Sequence, residues 1–343
     1  MPARISVVIV TTNERDAIER SLPALKPELR PGDELIISDN ASSDGTVERA
    51  RELVPDVRVV QNGGNVGFPA GVNAGAAVAT GDVLLLLNPD AAVAPGFADA
   101  IRAPLEDGRG WDAWQALVTM DDGERINTSG GIVHFSGISW AGDLGGRVEG
   151  ADLAAREVEF ASGACLAIPM DVWRALGGFP AHFFLYFDDV DISMRIRLRG
   201  GTVGIEPSAR ADHSYTFTKG ALKWRMLERN RWATIIRCYP GPLLALLAPA
   251  LVATEAAILA ASVAGGWAPQ KLRSWGLVLT ALPMLLRERR AIQSSRVIGA
   301  AEFARWLSAD LSSEHLGAAG RSRVVGGGLR LYWRLVRVAL GVR

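Results

Sequence analysis

The first quarter of the chain alternates short apolar runs with segments of helical spacing. Four short runs, rich in Val, Ile and Leu, occupy residues 5–10, 35–38, 57–60 and 83–87. Such runs are typical of strands that are buried on both faces of a parallel sheet. Between them, apolar residues recur at helical spacing, for example in residues 46–53. The alternation predicts a doubly wound α/β sheet flanked by helices.

Polar side chains follow these runs, at the sheet edge where proteins of this class bind ligands. Asp90 comes just after the leucine-rich run, a common position for a carboxylate that holds a divalent cation. Asn88, Pro89 and Asp90 are also turn formers, so a plain turn is the alternative. The Gly- and Asn-rich segment 62–68 suits a phosphate-binding helix start or an ordinary loop equally well.

From residue 106 onward the pattern predicts short strands joined by polar turns. Small residues near 163 predict a kink where a ligand or a neighbouring segment approaches closely. Trp111, Trp114 and Trp140 are candidates for an acceptor groove, although packing is the commoner role of a tryptophan. The predicted strands lie at 113–120, 126–127, 132–135, 160–168 and 202–205.

The segment 183–191 places an aromatic run directly before three aspartates. Asp191 and Arg195 stand four residues apart, which predicts an ion pair on a helix from about 189 to 199, ended by Gly200. The aspartates would suit the dipole of that helix without any further role. We favour a general base, because a carboxylate beside apolar groups has its pKa raised toward a useful value.

Composition indicates a folded protein with an uneven distribution of charge. The chain has 343 residues, 49% of them hydrophobic and 22% charged, which is enough for more than one domain. Residues 1–220 carry 31 acidic and 19 basic side chains, whereas residues 221–343 carry 6 and 18. Cys165 and Cys238 lack metal-ligand spacing and indicate a reducing compartment. The first apolar run is too short for a secretory signal.

The last third of the chain is basic and apolar. Residues 222–238 and 324–343 have the spacing of basic amphipathic helices, and residues 243–263 form an apolar run whose one charge is Glu255. That run is long enough to span a bilayer, whereas residues 275–286 are too few. One crossing, an interfacial position and a soluble helical domain all remain open. Basic flanks favour an anionic membrane surface as partner, and the apolar runs argue against nucleic acid.

Taken together, these segments resemble the family 2 glycosyltransferases with the GT-A fold, and most of all the bacterial rhamnosyltransferase-like branch. The likeness covers residues 4–240, so we expect a catalytic domain at 1–240 and a helical, membrane-associated region at 241–343. Each motif alone is weak, and the likeness rests on their order and spacing. The matching segments are 7–14, 38–46, 65–75, 88–90, 162–164, 177–179, 183–191 and His213.

The resemblance implies a nucleotide-sugar site along the sheet edge. Asp39 would hold a pyrimidine ring, with Thr11 and Glu14 beside it. The next loop and helix would lie along the ribose and the diphosphate. The residues implied in nucleotide-sugar binding are Thr11, Asn13, Glu14, Asp39, Asn65, Gly67, Asn73, Asn88, Gly163 and Ala164.

The resemblance also implies a metal site and a catalytic base. Asp90 would ligate Mg²⁺ or Mn²⁺ on the diphosphate, with His213 as a further ligand. Asn88 replaces the first Asp of the family's DxD motif, which leaves one acidic ligand instead of two. Asp189 matches the family's base, and Asp188 replaces the more usual Glu before it.

These residues imply an inverting, metal-dependent glycosyltransferase of cell-wall or polysaccharide biosynthesis, at the cytoplasmic face of a cell membrane. The expected donor is dTDP-rhamnose, with UDP-galactofuranose, another UDP-hexose or GDP-mannose as alternatives. The expected acceptor is a hydroxyl of a cell-envelope glycan or of a polyprenyl-linked sugar. A non-catalytic nucleotide-sugar-binding protein is the competing class, but such a protein would typically lose Asp90 or Asp189. A nucleotidyltransferase would need a basic, Gly-rich loop that residues 11–14 do not offer.

Overall fold

The fold divides into two units in a computed structural model that describes residues 3–151, 153–213, 220–311 and 323–342. Unit 1 is formed by residues 1–131, 141–196 and 201–217, and unit 2 by residues 132–140, 197–200 and 218–343. The domain boundary after residue 240 stays a prediction. By its contacts, the helix Gly220–Cys238 groups with the helices that follow it.

The described residues contain twelve strands, most of them in unit 1. They are β1 (Ile5–Thr11), β2 (Glu34–Asp39), β3 (Arg58–Gln61), β4 (Val83–Leu87), β5 (Ala91–Val93), β6 (Ala113–Met120), β7 (Arg125–Thr128), β8 (Gly131–Val133), β9 (Ser139–Ala141), β10 (Arg156–Glu157), β11 (Cys165–Pro169) and β12 (Val203–His213). The four strands predicted in the first quarter are therefore confirmed to within a residue or two.

The helices of unit 1 come first along the chain, and those of unit 2 follow. They are α1 (Arg15–Leu25), α2 (Thr46–Leu53), α3 (Phe68–Val78), α4 (Phe97–Ala100), α5 (Ala103–Glu106), α6 (Met170–Leu176), α7 (Asp188–Leu198), α8 (Gly220–Cys238), α9 (Gly241–Ala264), α10 (Ala268–Ser294), α11 (Ala300–Phe303) and α12 (Arg323–Ala339). The predicted helix at 46–53 is confirmed, and the one at 189–199 begins one residue earlier and ends one residue earlier.

The main sheet of unit 1 is mixed, in the strand order β10-β12-β6-β11-β4-β1-β2-β3. Strands β3, β2, β1 and β4 run parallel, as the apolar runs predict. Strands β1, β2 and β4 are buried almost throughout, whereas β3 is a partly exposed edge strand. Strand β11 is antiparallel to both of its neighbours, β4 and β6. Its start therefore lies beside the end of β4, where the predicted metal ligands begin.

Helix α3 lies unusually close to β1 because two glycines face the strand. A Cβ atom at Gly71 would stand 2.7 Å from a methyl group of Val10, and one at Gly75 would stand 2.6 Å from a methyl group of Val8. Larger residues would push the helix away from the sheet. The close packing positions the start of α3 beside the carboxyl end of β1, at the predicted donor site.

Two strand predictions in the second half were wrong in their bounds. Residues 161–164 form a turn before β11, because the amides of Ser162 and Gly163 donate to the side chains of Gln115 and Asp189 instead of to a strand. The strand predicted at 202–205 is longer than expected, because β12 continues to His213 with an irregular register between Glu206 and Arg210.

Two of the three candidate tryptophans belong to the core of unit 1. Trp114 is fully buried and donates from Nε1 to the carbonyl oxygen of Ile101, and Trp111 is 8% exposed. Their role is packing, so they do not line an acceptor groove. Trp140, in β9, is partly exposed. Cys165 and Cys238 are both buried free thiols.

Unit 2 contains α8 to α12 as its main elements. Helix α9 has 24 residues, and among the described helices it is the one long and apolar enough to cross a membrane by length and composition. Its side chains are mostly exposed, and 17% of its most apolar window is buried. The predicted basic helix at 324–343 is α12, which ends at Ala339, and Arg343 lies outside the described residues.

Candidate active site

The first part of the candidate site is the edge where β1 and β2 end. Thr11 and Asp39 are paired in the parallel ladder, and the Thr11 hydroxyl donates to Asp39 Oδ1 over 2.9 Å. The amide of Ser42 donates to Asp39 Oδ2 over 3.1 Å. Both carboxylate oxygens of Asp39 are therefore oriented by the protein, and the side chain is 1% exposed.

The loop after β1 is joined to the loop after β2 by hydrogen bonds. Asn13 has a left-handed backbone conformation, with φ of 57°, and its side-chain oxygen accepts from the amide of Ser43 over 2.8 Å. The amide of Glu14 donates to the hydroxyl of Thr46 over 3.0 Å. The structure thus brings Thr11, Asn13, Glu14 and Asp39 together, as the sequence predicts.

The loop before α3 reaches the aromatic segment through Gly67. The amide of Gly67 donates to Asn65 Oδ1 over 3.0 Å, and the amide of Phe68 donates to the carbonyl oxygen of Phe184 over 2.8 Å. Gly67 has φ of 84°, and a Cβ atom there would stand 2.4 Å from that carbonyl oxygen. Only glycine fits this contact, which joins the donor loop to the segment that precedes the aspartates.

Asn73 has a structural role that the motif did not predict. Its Oδ1 accepts from the amide of Phe179 and its Nδ2 donates to the carbonyl oxygen of Phe179, both over 2.9 Å. The amide group thereby joins α3 to the turn at 177–179. A contact of Asn73 with the ribose or the diphosphate stays a prediction, and it would have to compete with these two bonds.

The aromatic segment before the aspartates is strained. Phe184, Tyr186 and Phe187 have φ between 62° and 69°, a region that bulky residues rarely adopt. Strained conformations of this kind persist where the surrounding structure fixes them, often at functional sites. The segment leads directly into α7, so its geometry decides where Asp188 and Asp189 point.

Asp189 occupies the first turn of α7 and is half-buried. Its Oδ2 accepts from the amide of Gly163 over 3.1 Å, and its Oδ1 accepts from the amide of Val190 over 2.8 Å. Asp188 is 4% exposed. Asp191 instead pairs with Arg195 over 2.7 Å, which confirms the predicted ion pair. Arg195 also donates to backbone oxygens of residues 176 and 178, so that pair is structural.

Burial raises the pKa of both carboxyl groups at the start of α7. For Asp188 the pKa rises well above 3.8, first through burial and then through the charge of Asp189. Burial also raises the pKa of Asp189, and the amides of Gly163 and Val190 oppose that rise. The charge of Asp189 thus favours the protonated form of Asp188, and the two amides favour the ionised form of Asp189. A half-buried carboxylate with a raised pKa is suited to accept a proton.

The predicted metal ligands meet where β4 and β12 end. His213 Nε2 lies 3.0 Å from Asp90 Oδ1 and 3.1 Å from the side-chain nitrogen of Asn88. His213 is buried, whereas the carboxylate of Asp90 is one-third exposed. The ladder between β12 and β5 fixes this arrangement, because it pairs His213 with Ala91. The structure thus brings together both residues predicted to bind a metal.

Asp90 and His213 could supply two of the ligands of a divalent cation. No cluster of three or more His, Cys, Asp or Glu side chains with metal-binding geometry occurs among the described residues. One carboxylate with an imidazole is nevertheless a sufficient protein contribution for Mg²⁺ or Mn²⁺, because such ions often take their other ligands from phosphates and water. Asp90 has an exposed oxygen for that purpose.

The turn at 161–164 connects the metal end of the site to the base. The amide of Asn88 donates to the carbonyl oxygen of Ala164 over 3.0 Å, and the amide of Gly163 donates to Asp189. The neighbouring amide of Ser162 donates to Gln115 Oε1 over 2.8 Å. Sequence reasoning missed Gln115, because a glutamine inside an apolar strand gives no sign of its partner.

Asn40 and Asn62 are two further residues that sequence reasoning missed. The Nδ2 of Asn62 donates to Asn40 Oδ1 over 2.9 Å, and Asn40 in turn donates to the carbonyl oxygen of Gly67. Both lie beside the predicted donor loop and fix its path. Their position directly after a strand was a usable signal, since Asp39 and Asn65 were selected on the same ground.

Known proteins are similar to this chain in sequence and in fold. Residues 6–141 match the family model described as Glycosyl transferase family 2. These residues therefore form a domain similar to that family, and the rest of the chain lies outside the match. This glycosyltransferase is 27% identical over 241 residues to the N-acetylglucosaminyl-diphospho-decaprenol L-rhamnosyltransferase of Mycobacterium tuberculosis, a match that covers 63% of the chain and 78% of the relative.

Solved structures show that the glycosyltransferase has the GT-A fold. GalNAc-T7, solved with UDP, GalNAc and Mn²⁺, superposes with a TM-score of 0.58 at 18% identity, over 71% of this chain and 50% of that one. The mannosyltransferase PcManGT from Pyrobaculum calidifontis, solved with GDP-Man and Mn²⁺, gives 0.52 at 20% identity, over 86% of each chain. At these identities the likeness concerns the fold alone.

Proposed function

We propose that this glycosyltransferase moves a sugar from a nucleotide donor to an acceptor hydroxyl with inversion at the anomeric carbon. The observation that carries the proposal is the environment of Asp189. It is a half-buried carboxylate at the start of α7, its pKa is raised by burial, and Gly163 connects it to the turn that also holds Asn88. One carboxylate placed opposite a leaving diphosphate is sufficient for a single displacement.

In this mechanism Asp189 accepts the proton of the acceptor hydroxyl as the oxygen attacks the anomeric carbon. Asp188 stays protonated beside it and limits the negative charge in the pocket. Asp39, oriented by Thr11 and Ser42, accepts hydrogen bonds from the base of the nucleotide. Because one displacement suffices, no second carboxylate is needed as a nucleophile.

Asp90 and His213 would hold a divalent cation, Mg²⁺ or Mn²⁺. When bound, such an ion stabilises the negative charge on the departing diphosphate. The residues of the chain that serve this end of the reaction are Asn88, which contacts His213, and Ala164, which accepts from the Asn88 amide. They hold the two ligand side chains in position beside the turn that carries Gly163.

We propose dTDP-rhamnose as donor and a polyprenyl-linked sugar as acceptor, at the cytoplasmic face of a cell membrane. The name of the mycobacterial relative supports both, since it describes rhamnose transfer to N-acetylglucosaminyl-diphospho-decaprenol. The apolar helix α9 supports a membrane location. UDP-galactofuranose, another UDP-hexose and GDP-mannose remain the alternative donors. All of them contain the diphosphate that the donor loop would contact, so this loop does not discriminate between them.

A donor panel tests this proposal. The full-length protein is incubated with each of the four classes of sugar nucleotide and a polyprenyl-diphosphate N-acetylglucosamine acceptor, and nucleotide release is measured. We expect release with dTDP-rhamnose and a product whose anomeric configuration, read by NMR, is inverted. Release from another donor would correct the substrate, and retention of configuration would contradict the single displacement.

The metal ligands are tested by binding as well as by turnover. In Asp90→Ala we expect Mn²⁺ to lose its effect on dTDP affinity, because the exposed carboxylate that faces His213 is gone. Isothermal titration with and without Mn²⁺ measures that effect. The matched control is Asp99→Ala, which removes an exposed carboxylate on α4 and should leave the Mn²⁺ effect unchanged. An unchanged effect in Asp90→Ala would contradict the assignment.

A further inference from the structure

The two units differ in how many large hydrophobic side chains they expose. Among the described residues, thirteen of the fourteen exposed large hydrophobics belong to unit 2, and Val66 is the one in unit 1. They concentrate on α9, α10 and α12. These side chains are Val252 and Val263 on α9, Leu272, Leu277, Leu279 and Leu286 on α10, and Val325, Leu331, Leu335 and Val338 on α12. An apolar surface of this extent marks an interaction site.

Helix α9 has no polar residue on its exposed side. Each of its exposed positions is Gly, Ala, Pro or Val, from Pro242 near the start to Ala264 at the end. At about 1.5 Å per residue the helix is about 36 Å long, so this surface extends over the full width of a small domain. A soluble helix normally carries charged residues on that side.

The other side of α9 carries Glu255, which belongs to a buried cluster of four charges. Glu255 contacts Arg231 of α8 and lies 2.7 Å from Lys271 Nζ of α10. Trp275 donates from Nε1 to Glu255 over 2.6 Å. Glu228 of α8 completes the cluster through Arg231, at 2.9 Å, and Lys271. Two acids and two bases thus join three helices.

This cluster argues against a crossing of the bilayer by α9. Glu255 lies about 21 Å from the start of the helix and about 14 Å from its end, so a crossing would put it within the hydrocarbon core. Either the contacts with Arg231 and Lys271 would break, or both cations and part of α8 would follow into the core. Each isolated charge there costs about 2.5–3.5 kcal/mol on insertion scales.

Helix α12 offers the positive charge that an anionic surface would bind. It carries four arginines and no acidic residue. Trp333 and Val336 are buried, with Trp333 stacked on Phe135, whereas Leu331 and Leu335 are each 60% exposed. Arginines at 330 and 334 precede each of these leucines and are exposed. An exposed leucine row beside arginines is typical of a helix that lies on anionic lipid.

We propose that unit 2 is a monotopic membrane anchor, in which α9 lies along the surface of an anionic bilayer with its exposed side in the lipid and its charge cluster facing α8 and α10. Of the three positions left open by the sequence, this inference selects the interfacial one. It rests on unit 2 alone and does not depend on the sugar donor or on the transfer reaction.

Vesicle binding tests the lipid contact. The full-length protein is sedimented with vesicles of phosphatidylcholine, with and without phosphatidylglycerol. We expect binding that requires the anionic lipid, and we expect Val252→Glu to weaken it about tenfold or more. The matched control is Val297→Glu, the same change at an equally exposed valine outside these helices. Equal weakening by both variants would overturn the proposal. So would a full-length protein that does not bind the vesicles and instead covers its exposed helices by forming a dimer.

Cysteine labelling separates an interfacial helix from a crossing one. Single cysteines replace Pro242, in the first turn of α9, and Pro269, beyond its end, in a chain whose two buried native cysteines are changed to alanine. Both prolines are exposed. A membrane-impermeant maleimide is applied to spheroplasts and to inverted membrane vesicles of the expression host. We expect both positions to react in the inverted vesicles and neither in spheroplasts. Reaction of the two positions from opposite sides would overturn the proposal.

Discussion

Two pairs of carboxyl groups, one in each unit, have pKa values that are shifted in opposite directions. At the start of α7, burial raises the pKa of Asp188 and Asp189. In the cluster of unit 2, burial acts in the same direction on Glu228 and Glu255, but the charges and hydrogen bonds of their partners, mainly Arg231 and Lys271, together outweigh it and lower both pKa values. The difference lies in the cations supplied by neighbouring helices.

The comparison shows what distinguishes a buried carboxylate that can act as a base from one that stabilises the packing of helices. A carboxylate neutralised by Arg231 and Lys271 has little tendency to accept a proton, so it serves the packing of three helices. A carboxylate held by backbone amides alone keeps its basicity, as Asp189 does with Gly163 and Val190. Each prediction below changes one member of these pairs or its support.

The largest effect is expected from Asp189→Asn. The amide cannot accept a proton, so kcat should fall by about 10²–10⁴-fold while the affinity for donor stays near normal. Steady-state kinetics and nucleotide titration measure the two quantities. The control is Asp171→Asn, which changes an exposed aspartate in the first turn of α6 and should leave kcat unaltered. Near-normal turnover in Asp189→Asn would disprove the base.

The next largest effect is expected from Lys271→Met in unit 2. Glu228 and Glu255 would then share one cation, and the loss of a partner from a buried ionic cluster costs about 3–5 kcal/mol. Urea unfolding of the full-length protein, followed by tryptophan fluorescence, measures the change. Arg273→Met removes an exposed cation from the same helix and should change stability little. Equal stability of the two variants would show that the cluster is not a structural centre.

A smaller effect is expected from Gly67→Ala. The new methyl group would collide with the carbonyl oxygen of Phe184, 2.4 Å away, and displace the segment that leads to Asp189. We expect a loss of about 1–3 kcal/mol in stability together with slower transfer. Gly63→Ala is the control, because Gly63 is in the same loop, has φ of 70° and has open space around it. If the two variants lose the same stability and activity, backbone strain at positive φ explains the loss, and the collision with Phe184 does not.

The smallest effect on turnover is expected from Asp188→Asn, together with a distinct pH dependence. In the folded protein Asp188 keeps its proton above pH 3.8, where the unfolded chain has lost it, so Asp188 lowers stability as the pH rises. The variant should therefore be more stable than the parent at neutral pH, with a difference that vanishes in acid. Unfolding midpoints across about pH 4–8 measure this. A stability difference between the variant and the parent that grows as the pH falls would contradict this prediction.

The strands and helices of the first quarter could be predicted because their apolar runs are rich in Val, Ile and Leu and polar residues follow at the strand ends. Thr11, Asn13, Glu14 and Asp39 come together for that reason. The pairing of Asp90 with His213 was implied by motif resemblance alone, since 123 residues separate them in sequence. No local pattern could supply that contact.

Other parts of the site depend on tertiary contacts that leave no local trace. Residues 161–164 look like part of a strand, yet they form a turn because Gln115 and Asp189 accept the amides of Ser162 and Gly163. Asn73 matches a donor motif, yet its amide is bonded to Phe179. The cations around Glu255 come from two other helices, so the sequence showed an unpaired charge in an apolar run.

The antiparallel direction of β11 has a consequence for how the size of the bound sugar could change between related proteins. Because β11 starts where β4 ends, the short turn at 161–164 lies between Asp189 and the end of β4. In the proposed mechanism this turn would be the spacer between the proton acceptor and the leaving diphosphate. Adding or removing a residue in the turn would then change the width available to the sugar while Asp189 and Asp90 stay unaltered.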